Sequence, residues 1–293
     1  MITALTLAGA TLAATATLLT PTSPSPSPVD GTEATRAYWT PERMREAAST
    51  SPLDGLRAPA APRPPDGVPW IRSTAPVAHI GRLFMVLPGG QKATCTAAVV
   101  YAKNRDVIST AGHCVHLKAV GGAMKSLLFV PGYANGQKPY GSYPARSVGV
   151  ADAWKNSEDH KADFAFVTLA RDEKGRHVQD VVGARRAIFG HGPAGPRTAL
   201  GYPYVKPYDG ESLQYCESRA TPVKDDRLLG GSQLRPCRMT NGASGGPWYA
   251  RTANGEDIQV AVTSSRPRGE AEVAWGAVLD ATAKGLYNTQ SRL

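Results

Sequence analysis

Ser109-Thr110-Ala111-Gly112-His113-Cys114 is the stretch on which the reading of this chain turns. The four residues before the histidine are small, so the backbone there can press close against a neighbour. The cysteine after it can tie the loop to an adjacent strand. Cys95, in the run CTAAVV at 95–100, is its natural partner. Closing a loop of that size with a disulfide stabilises a fold by about 3 kcal/mol in the chain-entropy picture. His113 is thereby the first candidate for chemistry.

Two further stretches complete a constellation. Thr240-Asn241-Gly242-Ala243-Ser244-Gly245-Gly246-Pro247 sets glycines on both sides of a serine. Glycine accepts the left-handed backbone of a sharp turn. Such a turn exposes the Ser244 hydroxyl and lets the N–H groups of Gly242 and Ser244 converge on one point. Two converging donors make an oxyanion hole, and losing one costs about 100- to 1000-fold in rate. Ala162-Asp163-Phe164-Ala165-Phe166-Val167 places an acid at the head of an apolar strand, where a carboxylate can orient a histidine. Asp152 and Asp159 compete with it but lie in polar, loop-like stretches. His113, Cys114 and His116 can also be read as metal ligands. Thiolate sites usually bring two closely spaced cysteine pairs, which this chain lacks, so no metal and no cofactor is expected.

Around these stretches, short strand-like runs follow one another at 82–87, 95–101, 127–130, 164–169, 258–263 and 274–279. Between them lie PGG, PGYANG, GHGPAG and TANG, all turn chemistry. The chain holds 30 Gly and 24 Pro in 293 residues, and long helical periodicity is scarce. An all-β barrel or sandwich follows, and periodicity alone does not choose between them. With 42% hydrophobic and 19% charged residues the chain can build a core and is not a disordered polymer. The net charge of +9 could attract polyanions, but no dense Lys/Arg cluster interleaved with aromatics appears, and no nucleic-acid partner is expected.

TAGHC, ADFAFV and GASGGP, in the chain order His, Asp, Ser, resemble the trypsin-like serine proteases. IGRLFM before CTAAVV, and GYP before the second half, are similar to the secreted bacterial branch that includes the glutamyl endopeptidases. The likeness runs over about residues 75–285. It implies two antiparallel six-stranded β-barrels with the site in the cleft between them, barrel one at about 75–195 and barrel two at about 196–285. It implies a catalytic triad of His113, Asp163 and Ser244, an oxyanion hole at Gly242 and Ser244, and peptide or protein substrates. It also implies pocket walls at 238–240 and 263–266, hence Arg238, Thr263, Ser264 and Arg266 as substrate-binding candidates. No Asp occupies the base position that favours Arg or Lys. Thr263 stands where glutamyl endopeptidases place a histidine. The cysteine pairs of animal trypsins are reduced to Cys216 and Cys237, which are expected to bond each other. Ala243 replaces the Asp that, in trypsin zymogens, receives a freshly cut amino terminus.

The amino-terminal end reads differently. Residues 2–19 are apolar or small and carry no charge, like the core of a secretory signal peptide, although no Lys or Arg precedes them. Read as a membrane anchor, the run is short and rich in Thr and Ala. PTSPSPSP follows at 21–28, an extended polar repeat. An amphipathic helix is expected at 41–48 after a Thr40 cap, with Pro at its first turn. The expected division is a signal peptide at 1–20, a Pro-rich propeptide or linker at 21–72 and a protease domain at 73–293. The whole describes a secreted, monomeric endopeptidase without stable membrane association. An inactive binding protein on the same scaffold, or a wall- or membrane-anchored protease, is the alternative.

Overall fold

The computed structural model describes residues 31–49, 68–69 and 77–293. The expected signal peptide and the PTSPSPSP repeat lie outside the described residues. Among the described residues, helices α1 (Thr32–Tyr38) and α2 (Pro41–Ser49) come first, then fifteen strands. These are β1 (Val68–Pro69), β2 (Ile80–Val86), β3 (Lys92–Val99), β4 (Val107–Thr110), β5 (His116–Leu117), β6 (Gly122–Ala123), β7 (Lys125–Pro131), β8 (Tyr143–Val150), β9 (Ala165–Leu169), β10 (Gly195–Gly201), β11 (Gln214–Pro222), β12 (Ser232–Leu234), β13 (Pro247–Arg251), β14 (Asp257–Ser265) and β15 (Ala274–Val278). Helices α3 (Asp152–Ser157) and α4 (Val178–Val182) flank β9, and α5 (Ala281–Gln290) closes the chain.

Six strands close barrel one in the order β2-β3-β4-β9-β8-β7. Barrel two follows the order β11-β10-β13-β14-β15-β12, and the β11–β12 pairing closes its ring, with β1 added along β11. Each of the six runs read as strand-like overlaps a strand, within two residues at its ends where it extends beyond it.

Period-two alternation explains how barrel one meets its neighbours. Every residue of β2 is buried. Leu83 and Met85 join the barrel's own core, whereas Ile80, Phe84 and Val86 join a second cluster outside it. That outer cluster holds Tyr202 and Tyr249 from barrel two and Trp39, Met44 and Ala47 from the first helices. In β3, likewise, Ala93, Cys95, Ala97 and Val99 face the core, while Ala98 faces out. Two faces of one strand thus serve two interfaces.

Both ends of the described chain fasten to barrel one. The α2 helix starts where expected, with Thr40 Oγ1 accepting the Arg43 N–H at 3.3 Å. Trp39 is buried, donates its indole N–H to the Ser126 carbonyl at 2.6 Å and lies 5.4 Å from the Phe84 ring. A segment expected to be a propeptide or linker therefore contributes core residues. At the other end α5, capped by the Asp280 side chain, leaves barrel two and returns to barrel one. There the Thr168 hydroxyl donates to the Gln290 side chain at 2.6 Å, and Tyr287 lies 5.7 Å from Phe166.

A buried pair ties the barrels together: His79 Nε2 and the Tyr249 hydroxyl are 3.1 Å apart. Burial, aided by the Arg185 charge, pulls the His79 pKa from its ordinary 6.5 to about 3. Below pH 6.5 the unfolded chain takes up a proton that folded His79 refuses. This contribution to stability is complete above pH 6.5 and drains away as pH falls toward 3. The slope is about 1.4 kcal/mol per pH unit where only the unfolded form is protonated. Urea unfolding of the wild type between pH 7 and 4 should show this loss, and His79→Gln should flatten that part of the profile.

Candidate active site

His113 sits in a single turn after β4, in the 3-10 segment Gly112–Cys114. The sequence makes this turn tight. A Cβ on Gly112 would lie 2.9 Å from the Trp154 ring, so only glycine fits. The following cysteine bonds Cys95 in β3, as the motif suggested. Asp163 follows the 3-10 segment His160–Ala162 and leads into β9, which pairs with β4. That pairing brings histidine and carboxylate together. His113 Nδ1 lies 2.9 Å from Asp163 Oδ2, and the His113 backbone N–H donates to Oδ1 at 2.8 Å. A third donor comes from barrel two, where the Ser264 hydroxyl gives its hydrogen to Oδ2 at 2.6 Å.

The carboxylate is fully buried. Burial alone would raise its pKa, but the His113 ring, the Ser264 hydroxyl and the His113 N–H outweigh it and hold the group below the ordinary carboxylate value. An ionised carboxylate only accepts hydrogen bonds, so Nδ1 must carry the hydrogen. In the neutral ring Nε2 is then bare and free to accept a proton. The competing acids are engaged elsewhere. Asp152 pairs with Lys155 at 2.7 Å, and Asp159 caps the turn through the Lys161 N–H.

Ser244 lies in the loop between β12 and β13. Gly242 and Gly245 have φ of +94° and +78°, the left-handed region that favours glycine. Close approach adds a second reason at Gly245, where a Cβ would stand 2.1 Å from Thr110 Oγ1 and 2.7 Å from Ala111 N. The serine loop therefore abuts the backbone just before His113. Its carbonyl accepts the Thr96 N–H at 2.8 Å, and Gly245 N–H donates to the Thr263 carbonyl at 2.8 Å. Among the described residues, the N–H groups of Gly242 and Ser244 have no acceptor. The Ser244 hydroxyl is not bonded to the imidazole. Such bonds are commonly loose in a free enzyme and tighten when substrate is held.

The substrate-side candidates separate in space. Ser264 is behind Asp163, as described. Thr263 is buried, and its hydroxyl accepts the Trp248 indole N–H at 2.9 Å, facing barrel two. Arg238 bonds Glu272 at 2.6 Å, a partner the sequence did not reveal because the two residues are 34 positions apart. Arg266 is half-buried just beyond β14. Cys216 and Cys237 form the second disulfide, joining β11 to the segment before the serine loop. Ala243 is buried beside them in an apolar cluster with Met239 and Trp248, with no charge to receive an amino terminus. The sulfurs of Cys95 and Cys114 and a ring nitrogen of His113 lie within 4.8 Å of one another. Both sulfurs are locked in the disulfide, so no thiolate is on offer to a metal.

This arrangement can activate a hydroxyl, stabilise the resulting imidazolium and bind an oxyanion. Solved structures share the architecture. The crystal structure of protease Anisep from Arthrobacter nicotinovorans is 31% identical, covers 75% of this chain and 99% of its own, and superposes with a TM-score of 0.69. The thermostable serine protease AL20 from an extremophilic microorganism is also 31% identical, covers 74% and 98%, and gives 0.66. A Glu endopeptidase at 19% identity, covering 78% and 98% with a TM-score of 0.60, shares the fold. No protein-family model matches the sequence, and no curated protein does.

Asp163 supplies a stability test. Its depressed pKa stabilises the fold above the ordinary value of 3.8, and that contribution is lost as pH falls through the lower folded value. Ser264→Ala removes one donor to the charge. At pH 7 it should cost about 1.5–3 kcal/mol. The difference from wild type in urea unfolding should shrink once the carboxyl is protonated.

Proposed function

The chain belongs to the trypsin-like serine proteases of the two-barrel fold, and from that premise we propose that Ser244, His113 and Asp163 are its nucleophile, general base and orienting carboxylate. The protein is a serine protease, a hydrolase acting on protein or peptide substrates. Its two disulfides suit an oxidising compartment, and it works outside the cell. Among the described residues, no helix is long and apolar enough to cross a membrane.

One observation carries the assignment. Asp163 is buried with three donors in place, and its bond to Nδ1 turns the bare Nε2 of His113 away from the carboxylate. In the first step His113 takes the Ser244 proton as the oxygen attacks the scissile carbonyl. The oxyanion is received by the Gly242 and Ser244 N–H groups. His113 then gives its proton to the departing amine. Water enters, loses a proton to His113 and attacks the acyl-enzyme, and His113 returns that proton to the Ser244 oxygen as the acid leaves. No cofactor takes part.

The finer reading extends to the rest of the chain. Residues 1–20 act as a signal peptide and 21–72 as a propeptide or linker whose helices α1 and α2 dock on barrel one. One chain holds the whole proposed triad, so the chemistry needs no residue from a second copy. The pocket walls implied by the family likeness contain Arg238, whose charge Glu272 offsets. Uncharged side chains are then the preferred residues before the cleaved bond.

Two experiments test this reading. Ser244→Ala should abolish peptide hydrolysis and fluorophosphonate labelling while leaving the melting temperature within a few degrees of wild type. Turnover at near wild-type rate would refute the assignment. A peptide-library digest should show cleavage mainly after uncharged residues, and dominant cleavage after Lys or Arg would refute the pocket reading.

A further inference from the structure

We infer that Thr96 positions the oxyanion hole, doing with hydrogen bonds what a buried ion pair does where an aspartate precedes the serine. The inference rests on the reading of Gly242 and Ser244 as the oxyanion donors.

Thr96 is fully buried in β3. Cys95 and Ala97, on either side, face the core of barrel one, so alternation turns Thr96 toward barrel two. Each of its polar groups ends on the site. Its N–H donates to the Ser244 carbonyl at 2.8 Å. Its carbonyl accepts the Thr110 hydroxyl at 2.9 Å, three residues before His113. Its own hydroxyl accepts the Tyr202 N–H at 2.9 Å and donates to the Gly242 carbonyl at 2.8 Å. The direction is unambiguous, because a backbone N–H can only donate and a carbonyl can only accept.

Gly242 stands between two peptide planes, and both are pinned. The Asn241 carbonyl is held by the Tyr204 N–H at 2.9 Å. In a trans peptide the N–H points opposite to the carbonyl. The Gly242 N–H is therefore turned away from Tyr204 and left without an acceptor. On the next plane Thr96 holds the Gly242 carbonyl, while the Ala243 N–H donates to the Thr240 carbonyl at 3.2 Å. Glycine imposes little barrier of its own to reorientation of these planes. Ala243 offers no charge to hold them. Removing the Thr96 hydroxyl strands both the Gly242 carbonyl and the Tyr202 N–H in a buried place. The freed plane is the link between the planes that carry the Gly242 and Ser244 donors, so a rotation that rescues the carbonyl would spoil their convergence.

The test compares Thr96→Val, which keeps the shape and loses the hydroxyl, with Thr96→Ser, which keeps the hydroxyl, and with Ser244→Ala. Steady-state kinetics on a peptide substrate, inhibition by a peptide boronate and the downfield NMR signal of the His113 Nδ1 proton are measured in each. Thr96→Val should lower kcat about 100- to 1000-fold, the scale of a lost oxyanion donor. KM should stay within a few-fold, boronate inhibition should weaken, and the His113 signal should persist. Thr96→Ser should recover most of kcat. If Thr96→Val does not fold, Thr96→Ala takes its place with the same expected order. Wild-type kcat in the hydroxyl-free variant, or equal loss in Thr96→Ser, overturns the positioning role while Ser244→Ala remains dead. An active Ser244→Ala overturns the underlying site reading as well.

Discussion

The carboxylate of Asp163 is the charge around which the rest is arranged. It is almost completely removed from water, and an ion in that position is tolerable only when donors replace its hydration. The donors come from separate parts of the chain. The His113 backbone and ring arrive through the β4–β9 pairing of barrel one. The Ser264 hydroxyl arrives from β14 of barrel two. Pulling the barrels apart would strip the carboxylate of a donor without restoring it to bulk water. The charge that orients the imidazole thus also holds the two halves in register.

A further set of contacts between the barrels follows from the alternation of β2 and β3. Residues of one parity build the first barrel's interior and those of the other parity face its partners. Arg82 illustrates this. Its guanidinium lies 5.4 Å from the Phe84 ring and 5.2 Å from the Tyr133 ring, and it donates to the Gly210 carbonyl and the Thr94 hydroxyl at 2.6 Å each. Glu211, 3.5 Å away, balances its charge and accepts the Tyr133 hydroxyl. The loop after β10 is fixed by these contacts. The same loop supplies the Tyr202 and Tyr204 N–H groups that steady the serine turn. Rigidity at the site is therefore borrowed from an interface rather than from the loop's own sequence.

The helices extend this logic. The first two cover the outer face of β2, and the last returns from barrel two to cover β9. Apolar surface that the short strands of barrel one leave exposed is buried by both ends of the described chain, in agreement with the general drive to remove such surface from water.

What the sequence determined by itself was local. The TAGHC turn, the glycines around Ser244, the acid heading an apolar strand and the strand-and-turn rhythm are each written within a few adjacent residues. Local geometry there admits few residue types: a Cβ at Gly112 or Gly245 would collide with its neighbours. The Thr40 cap and the start of α2 were legible for the same reason. Tertiary structure alone decided the rest. Ser264 was read as lining the substrate strand, yet its hydroxyl serves a carboxylate 101 positions away. In the sequence Thr96 is simply the second residue of CTAAVV, and its hydroxyl meets Gly242 across 146 positions. Glu272 opposite Arg238, the docking of Trp39 and the return of α5 are of the same kind. A serine or threonine has the same local signature whether it meets water or a buried acceptor. Its partner is chosen by how two closed barrels come together, and no short stretch of sequence contains that information.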